Sequence, residues 1–254
     1  MQYKLAVAIG NSRLHFALFQ DSHLEISWDT AHLQEPISVE TIQSLIPVEY
    51  RPRFNKLKPK IVLASVVPSQ TVYWLHYPQL KQVFLTEIPL RDLYPTMGID
   101  RALAIYGAGE YYGYPCLVID GGTALTFTGV DQERTLVGGA ILPGLRSQIR
   151  ALSQQTSALP EIILPNSLPP LWAKDTTTAI ACGIIHTLTT GVAHYIAQWQ
   201  REYPTSSIIL TGGDGKTLLR YLQQSNLETA QAIKCDRSLI FRGIQYLYIT
   251  KELS

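Results

Sequence analysis

Twice in this chain an apolar strand runs into a glycine turn and leaves it as a second strand. The second occurrence is Val118-Ile119-Asp120-Gly121-Gly122-Thr123-Ala124-Leu125-Thr126. The first is Leu5-Ala6-Val7-Ala8-Ile9-Gly10-Asn11-Ser12, followed by Leu14, Phe16, Ala17, Leu18 and Phe19. Matching Ala8 to Asp120 aligns Gly10 with Gly122, an offset of 112 in a chain of 254 residues. Glycines permit a tight turn and let backbone approach a ligand closely. Backbone N–H groups in such a turn can receive phosphate oxygens, and an aspartate at the strand end can hold a cation. Taken alone, Asp-Gly-Gly-Thr is an ordinary hairpin turn, because Gly and Asp are common turn residues. Its repetition describes a duplicated nucleotide-binding fold, in which each half opens with a hairpin and a cleft lies between the halves.

The rest of the chain supports an α/β arrangement in each half. Residues 3–9 and 14–20 read as paired strands, with a third across 24–28, and Val39, Ile42, Leu45 and Ile46 fall at helical spacing. Residues 47–60 read as a loop, 61–67 as a buried strand stopped by Pro68, 69–77 as a short helix and 83–85 as a short strand. Asp100 stands where an N-cap would, before a helix that ends near Gly113 and Pro115. The second half then repeats the scheme, with strands 116–120, 124–130 and 134–141 and a helix around 145–153. An extended proline-rich loop spans 155–172, and Asp175 caps a long helix over 176–201. On that helix Ala179, Gly183, Thr187 and Gly191 form a face of small side chains, along which another backbone can pack closely. A strand at 208–210 enters Thr211-Gly212-Gly213-Asp214-Gly215, followed by a short strand at 230–233 and a closing helix, 237–250, capped by Asp236. The expected halves are 1–114 and 115–254.

Composition narrows the partners. Hydrophobic residues make up 46% and charged residues 16%, which suits a chain that buries a sizeable core. A net charge of +1 gives no electrostatic reason to expect nucleic acid. No continuous apolar stretch reaches the roughly 18 residues that would span a membrane, and the N-terminus leads straight into a strand, so no membrane partner is expected. Cys116, Cys182 and Cys235 are odd in number and far apart, which suits reduced thiols and a cytoplasmic location. The histidines do not cluster, and His186 reads as a helix residue, not a ligand.

Six short motifs, in order, resemble the type III pantothenate kinases of the acetate/sugar kinase, Hsp70 and actin superfamily. Gly10-Asn11-Ser12 is similar to the D-x-G-N-T/S nucleotide loop, Gly98-Ile99-Asp100-Arg101 to the G-x-D-R segment, and Asp120-Gly121-Gly122-Thr123-Ala124 to the D-x-G-T-A loop. Gly139-Ala140-Ile141-Leu142-Pro143-Gly144 resembles the G-A-I-x-P-G segment, Thr176 with Ala179 and Gly183 the T-x-x-A-x-x-x-G helix, and Thr211-Gly212-Gly213 the late T-G-G turn. The resemblance covers nearly the whole chain. It implies two duplicated ribonuclease H-like halves of the actin-like ATPase fold. It also implies ATP-dependent phosphorylation of pantothenate, the first step toward coenzyme A, by a homodimer that uses Mg²⁺ and a monovalent cation, potassium or ammonium.

Carried onto this sequence, the resemblance implies that Asp100 is the proton acceptor. The nucleotide loop would comprise Ala8, Ile9, Gly10, Asn11, Ser12, Arg13, Leu14 and His15, with Thr123 also touching ATP. Gly98, Ile99, Asp100, Arg101 and Thr176 would form the pantothenate site, with Tyr94 as the candidate for the family's tyrosine. Asp120 would hold the monovalent cation. One position departs from the family: its first loop usually opens with an aspartate, and here stands Ala8. Either Mg²⁺ is then held by phosphates, waters and Asp120, since Mg²⁺ commonly keeps several waters and uses few carboxylates, or the chain is a weak enzyme. A carboxylate beside the acceptor hydroxyl fits general-base work, and an adjacent arginine can grip a substrate carboxylate. Two other readings stay open: a kinase of another small molecule, because fold does not fix substrate, and a non-catalytic or regulatory nucleotide-binding homologue, suggested by Ala8.

Overall fold

The computed structural model describes residues 3–53, 59–225 and 228–249. Contacts group them into two compact units: the residues up to Gly107 together with those from Ser238 onward, and Ala108–Arg237.

In the first unit the strands are β1 (Tyr3–Ile9), β2 (Leu14–Gln20), β3 (His23–Thr30), β4 (Lys60–Ser65) and β5 (Leu80–Gln82), with helices α1 (Val39–Leu45), α2 (Pro68–Thr71) and the part of α3 (Ile99–Tyr112) up to Gly107. The sheet order is β3-β2-β1-β4-β5. β1, β2 and β3 form an antiparallel meander, and β4 and β5 join in parallel on the other side of β1. β1 and β4 read as continuous apolar runs because the central strands of such a sheet are covered on both faces. Edge strand β3 alternates exposed and half-buried positions. Ser38 caps α1 by accepting the Thr41 amide while the Thr41 hydroxyl accepts the Ser38 amide, so two otherwise orphaned donors are satisfied together. Phe16, stacked on Trp28 at 5.2 Å, and fully buried Trp74 fill the core.

The second unit carries β6 (Cys116–Gly121), β7 (Ala124–Val130), β8 (Leu136–Pro143), α4 (Leu145–Gln155), α5 (Thr176–Glu202), β9 (Ser207–Thr211), α6 (Gly215–Gln224) and β10 (Lys234–Cys235). Its sheet order is β10-β9-β6-β7-β8. The topology is that of the first unit. A three-stranded antiparallel meander begins on the central strand, and two later strands join in parallel on its free side. The duplication expected from the two glycine turns is therefore present in the strand order. It does not extend to the turns themselves: four residues separate β1 from β2, and two separate β6 from β7.

Asp175 caps α5 through the Thr178 amide at 2.9 Å, as its position before three threonines predicts. One face of α5, from Ile180 through Ile185 and Leu188 to Ile196 and Trp199, is buried in the core of its unit. The face with Ala179, Gly183, Thr187 and Gly191 is exposed, and within the chain nothing described lies within 4 Å of a side chain built on either glycine. The close packing expected there is not made among the described residues. By length and composition α5 is apolar enough to cross a bilayer, yet half of its most apolar stretch is buried inside the unit.

Several boundaries differ from the sequence reading for local reasons. The strand expected at 83–85 lies at β5, one turn earlier, because the Glu87 carboxylate accepts the Phe84 amide and closes a 3₁₀ turn over Leu85–Glu87. The short strand expected at 230–233 is β10; Glu228–Gln231 is a 3₁₀ turn, while buried Ala230 and Ile233 supply the apolar signal. Asp236 does not cap the closing helix. Its carboxylate accepts the Tyr112 hydroxyl at 2.9 Å, and the helix starts later, as α7 (Leu239–Ile244) continued by a π turn over Gln245–Ile249. Residue 250 of that expected helix, and residues 54–58 of the expected loop 47–60, lie outside the described residues. α7 packs on β1 in the first unit.

The extended segment 155–172 is anchored by side chains from the helices beside it. The Tyr221 hydroxyl donates to the Pro165 carbonyl at 2.5 Å, and the Gln224 side chain accepts the Leu168 amide. His186 Nε2 lies 2.9 Å from the Pro169 carbonyl. Tyr221 is fully buried, so Tyr221→Phe leaves a carbonyl without its partner. It should cost about 1–3 kcal/mol, read as a lower urea midpoint with unchanged slope.

Candidate active site

In the first unit the site is built where β1 stops. Gly10 turns the chain, with its N–H donating to the Arg13 carbonyl at 3.0 Å. Ile9 and Leu14 close the hairpin as its last pair and are buried, while Asn11, Ser12 and Arg13 stand exposed at the tip. Ala8, 4% exposed, lies opposite His15 on β2 and Ala64 on β4. The loop is braced by two residues that the sequence reading missed. His32 Nε2 lies 2.9 Å from the Gly10 carbonyl, and Asp29 Oδ1 lies 2.7 Å from His15 Nδ1. The signal for Asp29 is strand register, which pairs it with His15, and register is invisible without the sheet.

Beside this turn the Val66 amide donates to the Ile9 carbonyl at 3.1 Å, and Gly98 rests against Val66. α3 begins at Ile99, so Asp100 sits inside the first turn and not at the cap expected for it. Its Oδ1 accepts the Arg101 amide at 2.7 Å. The carboxylate folds back over Gly98 so closely that a Cβ there would stand 2.5 Å from Oδ1; only glycine leaves that space. Burial pushes the Asp100 carboxyl above the usual aspartate range, and the Arg101 amide and charge pull part of the way back. Arg101 Nη1 donates to the Tyr94 hydroxyl at 2.7 Å, so Tyr94 joins the Gly98–Arg101 cluster despite its distance in sequence. Ile99 is buried and supports the helix start.

The second unit builds the matching turn from more parts. Asp120 lies one residue from the end of β6, opposite Thr126 on β7 and Thr211 on β9. Gly122 and Thr123 form the tip. α4 starts on this turn: the Gly144 amide and the Ser147 hydroxyl both donate to the Thr123 carbonyl, at 2.9 and 2.7 Å. α6 starts on it too, with the Asp214 amide donating to the Gly121 carbonyl at 2.8 Å. Two helix N-termini thus bring their partial positive charge to the turn. Gly212, at φ +83°, passes directly against the Asp120 carboxylate, in a left-handed conformation and a space that a Cβ would fill. Asp214 is itself buried and bonds Arg146 Nε at 3.0 Å. Thr123 is exposed. Thr176 is the exposed first residue of α5 in the same unit. Among the described residues no three His, Cys, Asp or Glu side chains gather as a metal cluster. Asp120 is a single carboxylate with the Gly212 backbone directly against it, so a cation there would take its remaining ligands from elsewhere.

The raised Asp100 carboxyl has a stability consequence. A carboxyl whose pKa is higher in the folded state gives stability below its unfolded pKa, and that stability is lost as pH rises through the folded pKa. Asp100→Asn removes the buried charge and keeps the oxygen that accepts the Arg101 amide. The variant should melt at or above the wild type at neutral pH, and the gap should close as pH falls through the carboxylate range. Thermal melts across pH check both parts.

A model of the type III pantothenate kinase family matches residues 4–198. A Nostoc sp. protein named type III pantothenate kinase is 43% identical over 255 residues, covering 95% of this chain and 92% of its own. A Synechocystis sp. protein of the same name is 40% identical, covering 96% and 90%. Among solved structures, one described as a Baf family transcriptional activator from Campylobacter jejuni superposes with a TM-score of 0.64 at 20% identity, covering 98% of this chain and 100% of its own. The activator of 2-hydroxyisocaproyl-CoA dehydratase from Clostridium difficile, solved with ADPNP, gives 0.54 at 11% identity, covering 99% and 95%. At those identities the likeness is one of fold, and the fold is that of the actin-like ATPases. With the family model matching most of its length and relatives this similar from end to end, the chain belongs to the type III pantothenate kinase family.

Proposed function

We propose that this protein transfers the γ-phosphoryl group of ATP to the primary hydroxyl of pantothenate, giving 4′-phosphopantothenate at the start of coenzyme A biosynthesis. The observation that carries the reading is Asp100, in a chain of this family: a partly desolvated carboxylate held over Gly98, beside an arginine bonded to Tyr94. Phosphoryl transfer needs in-line positioning and neutralised charge more than covalent help from the protein. Asp100 accepts the proton of the attacking hydroxyl; its raised carboxyl moves toward the range where a general base is effective. Arg101, steadied by Tyr94, pairs with the pantothenate carboxylate. Gly98, Ile99 and Thr176 complete the pantothenate site.

The exposed tip of the loop Ala8–His15 and Thr123 bind ATP through backbone and hydroxyl donors. Asp120 holds a monovalent cation, potassium or ammonium, which when bound supplies positive charge against the phosphates. Ala8 leaves the first loop without a strand-end carboxylate, so Mg²⁺ is carried by the phosphates, waters and Asp120. The enzyme works as a homodimer in the cytoplasm. The exposed small-residue face of α5 supports a second copy packing there, since glycines inside a helix cost about 1 kcal/mol each and close packing offsets that cost.

A coupled ADP-release assay with pantothenate tests the reading. Turnover should depend on pantothenate, and Asp100→Asn should lower kcat by about 10²–10⁴ without loss of fold. A variant with full turnover would remove Asp100 from the chemistry.

The same assay tests the cation. Activity should rise with potassium or ammonium and hardly with sodium. Gly212→Ala, which pushes a methyl group into the Asp120 carboxylate, should flatten that response. Identical responses to the three salts in the wild type would refute the cation role.

A further inference from the structure

Arg146 has no part in the reading given so far, yet it is held at the second glycine turn by a buried acid. Its side chain is 62% exposed, while that of its partner Asp214 is 10% exposed. Asp214 is fixed at both ends: its amide donates to the Gly121 carbonyl at 2.8 Å, and Oδ1 accepts Arg146 Nε at 3.0 Å. Arg146 is the second residue of α4, and that helix is tied to the same turn through Gly144, Ser147 and the Thr123 carbonyl. An arginine on a helix surface ordinarily spreads over many rotamers, at roughly 2 kcal/mol of entropy. Here one edge of the guanidinium is pinned to the loop that begins α6. Among the described residues Asp214 is its one hydrogen-bond partner, so the terminal nitrogens keep their donors for something else. A planar fork with its orientation already set is the group that pairs bidentately with phosphate oxygens.

We propose that Arg146, oriented by Asp214, contacts the phosphate chain of the nucleotide at the Gly121–Thr123 turn. This rests on the reading that ATP binds at that turn. Asp214 is then a positioning residue, which neutralises part of the arginine's charge but fixes its direction. The contact is made to phosphate and not to the base or ribose, so it favours ATP and ADP over adenosine.

Binding of ATP, ADP and adenosine to the full chain, measured by titration calorimetry without pantothenate, decides the matter. Arg146→Ala should weaken ATP and ADP by about tenfold or more, the size of one charge-assisted hydrogen bond, and should leave adenosine within about twofold. Adenosine doubles as the check that the variant is folded. Unchanged ATP and ADP affinity would mean that Arg146 only neutralises Asp214. A parallel loss for adenosine would mean a base or ribose contact, or a damaged fold. Either result overturns the proposal. Because the readout is nucleotide binding alone, a wild type that binds ATP but fails to phosphorylate pantothenate would refute the substrate reading and leave this one standing.

Discussion

One backbone hydrogen bond recurs in both units, and the candidate site depends on it. The last residue of each central strand offers its carbonyl to the loop that follows the neighbouring parallel strand. In the first unit Ile9 accepts from Val66 at 3.1 Å; in the second Gly121 accepts from Asp214 at 2.8 Å. A buried carbonyl at a strand end must find a donor, and the next parallel strand supplies one in the loop just past its own end. That bond draws the second loop against the glycine turn. In the first unit it brings Val66, and with it Gly98 and Asp100, beside the loop of Ala8–His15. In the second it brings Asp214, and with it Arg146, to the turn after β6.

The two units use the same frame with different chemistry in one row of residues. Across the second sheet the row reads Thr211, Asp120, Thr126 and Ile141, so its carboxylate lies on the central strand. Across the first it reads Ala64, Ala8, His15 and Asp29, so the carboxylate lies on edge strand β3, where it meets His15. Ala8 is buried, and a carboxylate there would be desolvated unless a cation accompanied it. The first turn therefore offers amides and an imidazole, while the second offers a carboxylate between two helix N-termini.

Glycine has two physical uses at these turns. Gly212 adopts a left-handed conformation against Asp120, and Gly98 gives up the volume into which the Asp100 carboxylate folds. In both places a side chain would displace the group on which the proposed chemistry relies. These glycines are parts of the site, although neither carries a functional group.

By itself the sequence determined the central strands, the hairpins and the long helix. Continuous apolar runs marked the central strands, glycine turns marked the hairpins, and Asp175 marked the start of the long helix, because these depend on local backbone preference and burial. It also brought the short motifs into one order, and so the family. Only the tertiary structure decided the rest. Asp100 lies inside its helix because its carboxylate has the space over Gly98 to turn back. Asp236 serves Tyr112 instead of a cap because that hydroxyl, far away in sequence, reaches it first. Tyr94 joins Arg101, His15 meets Asp29 and Arg146 meets Asp214 because register and helix placement bring together side chains that no local pattern links. Such pairings follow from long-range packing, to which nearest-neighbour preference is blind.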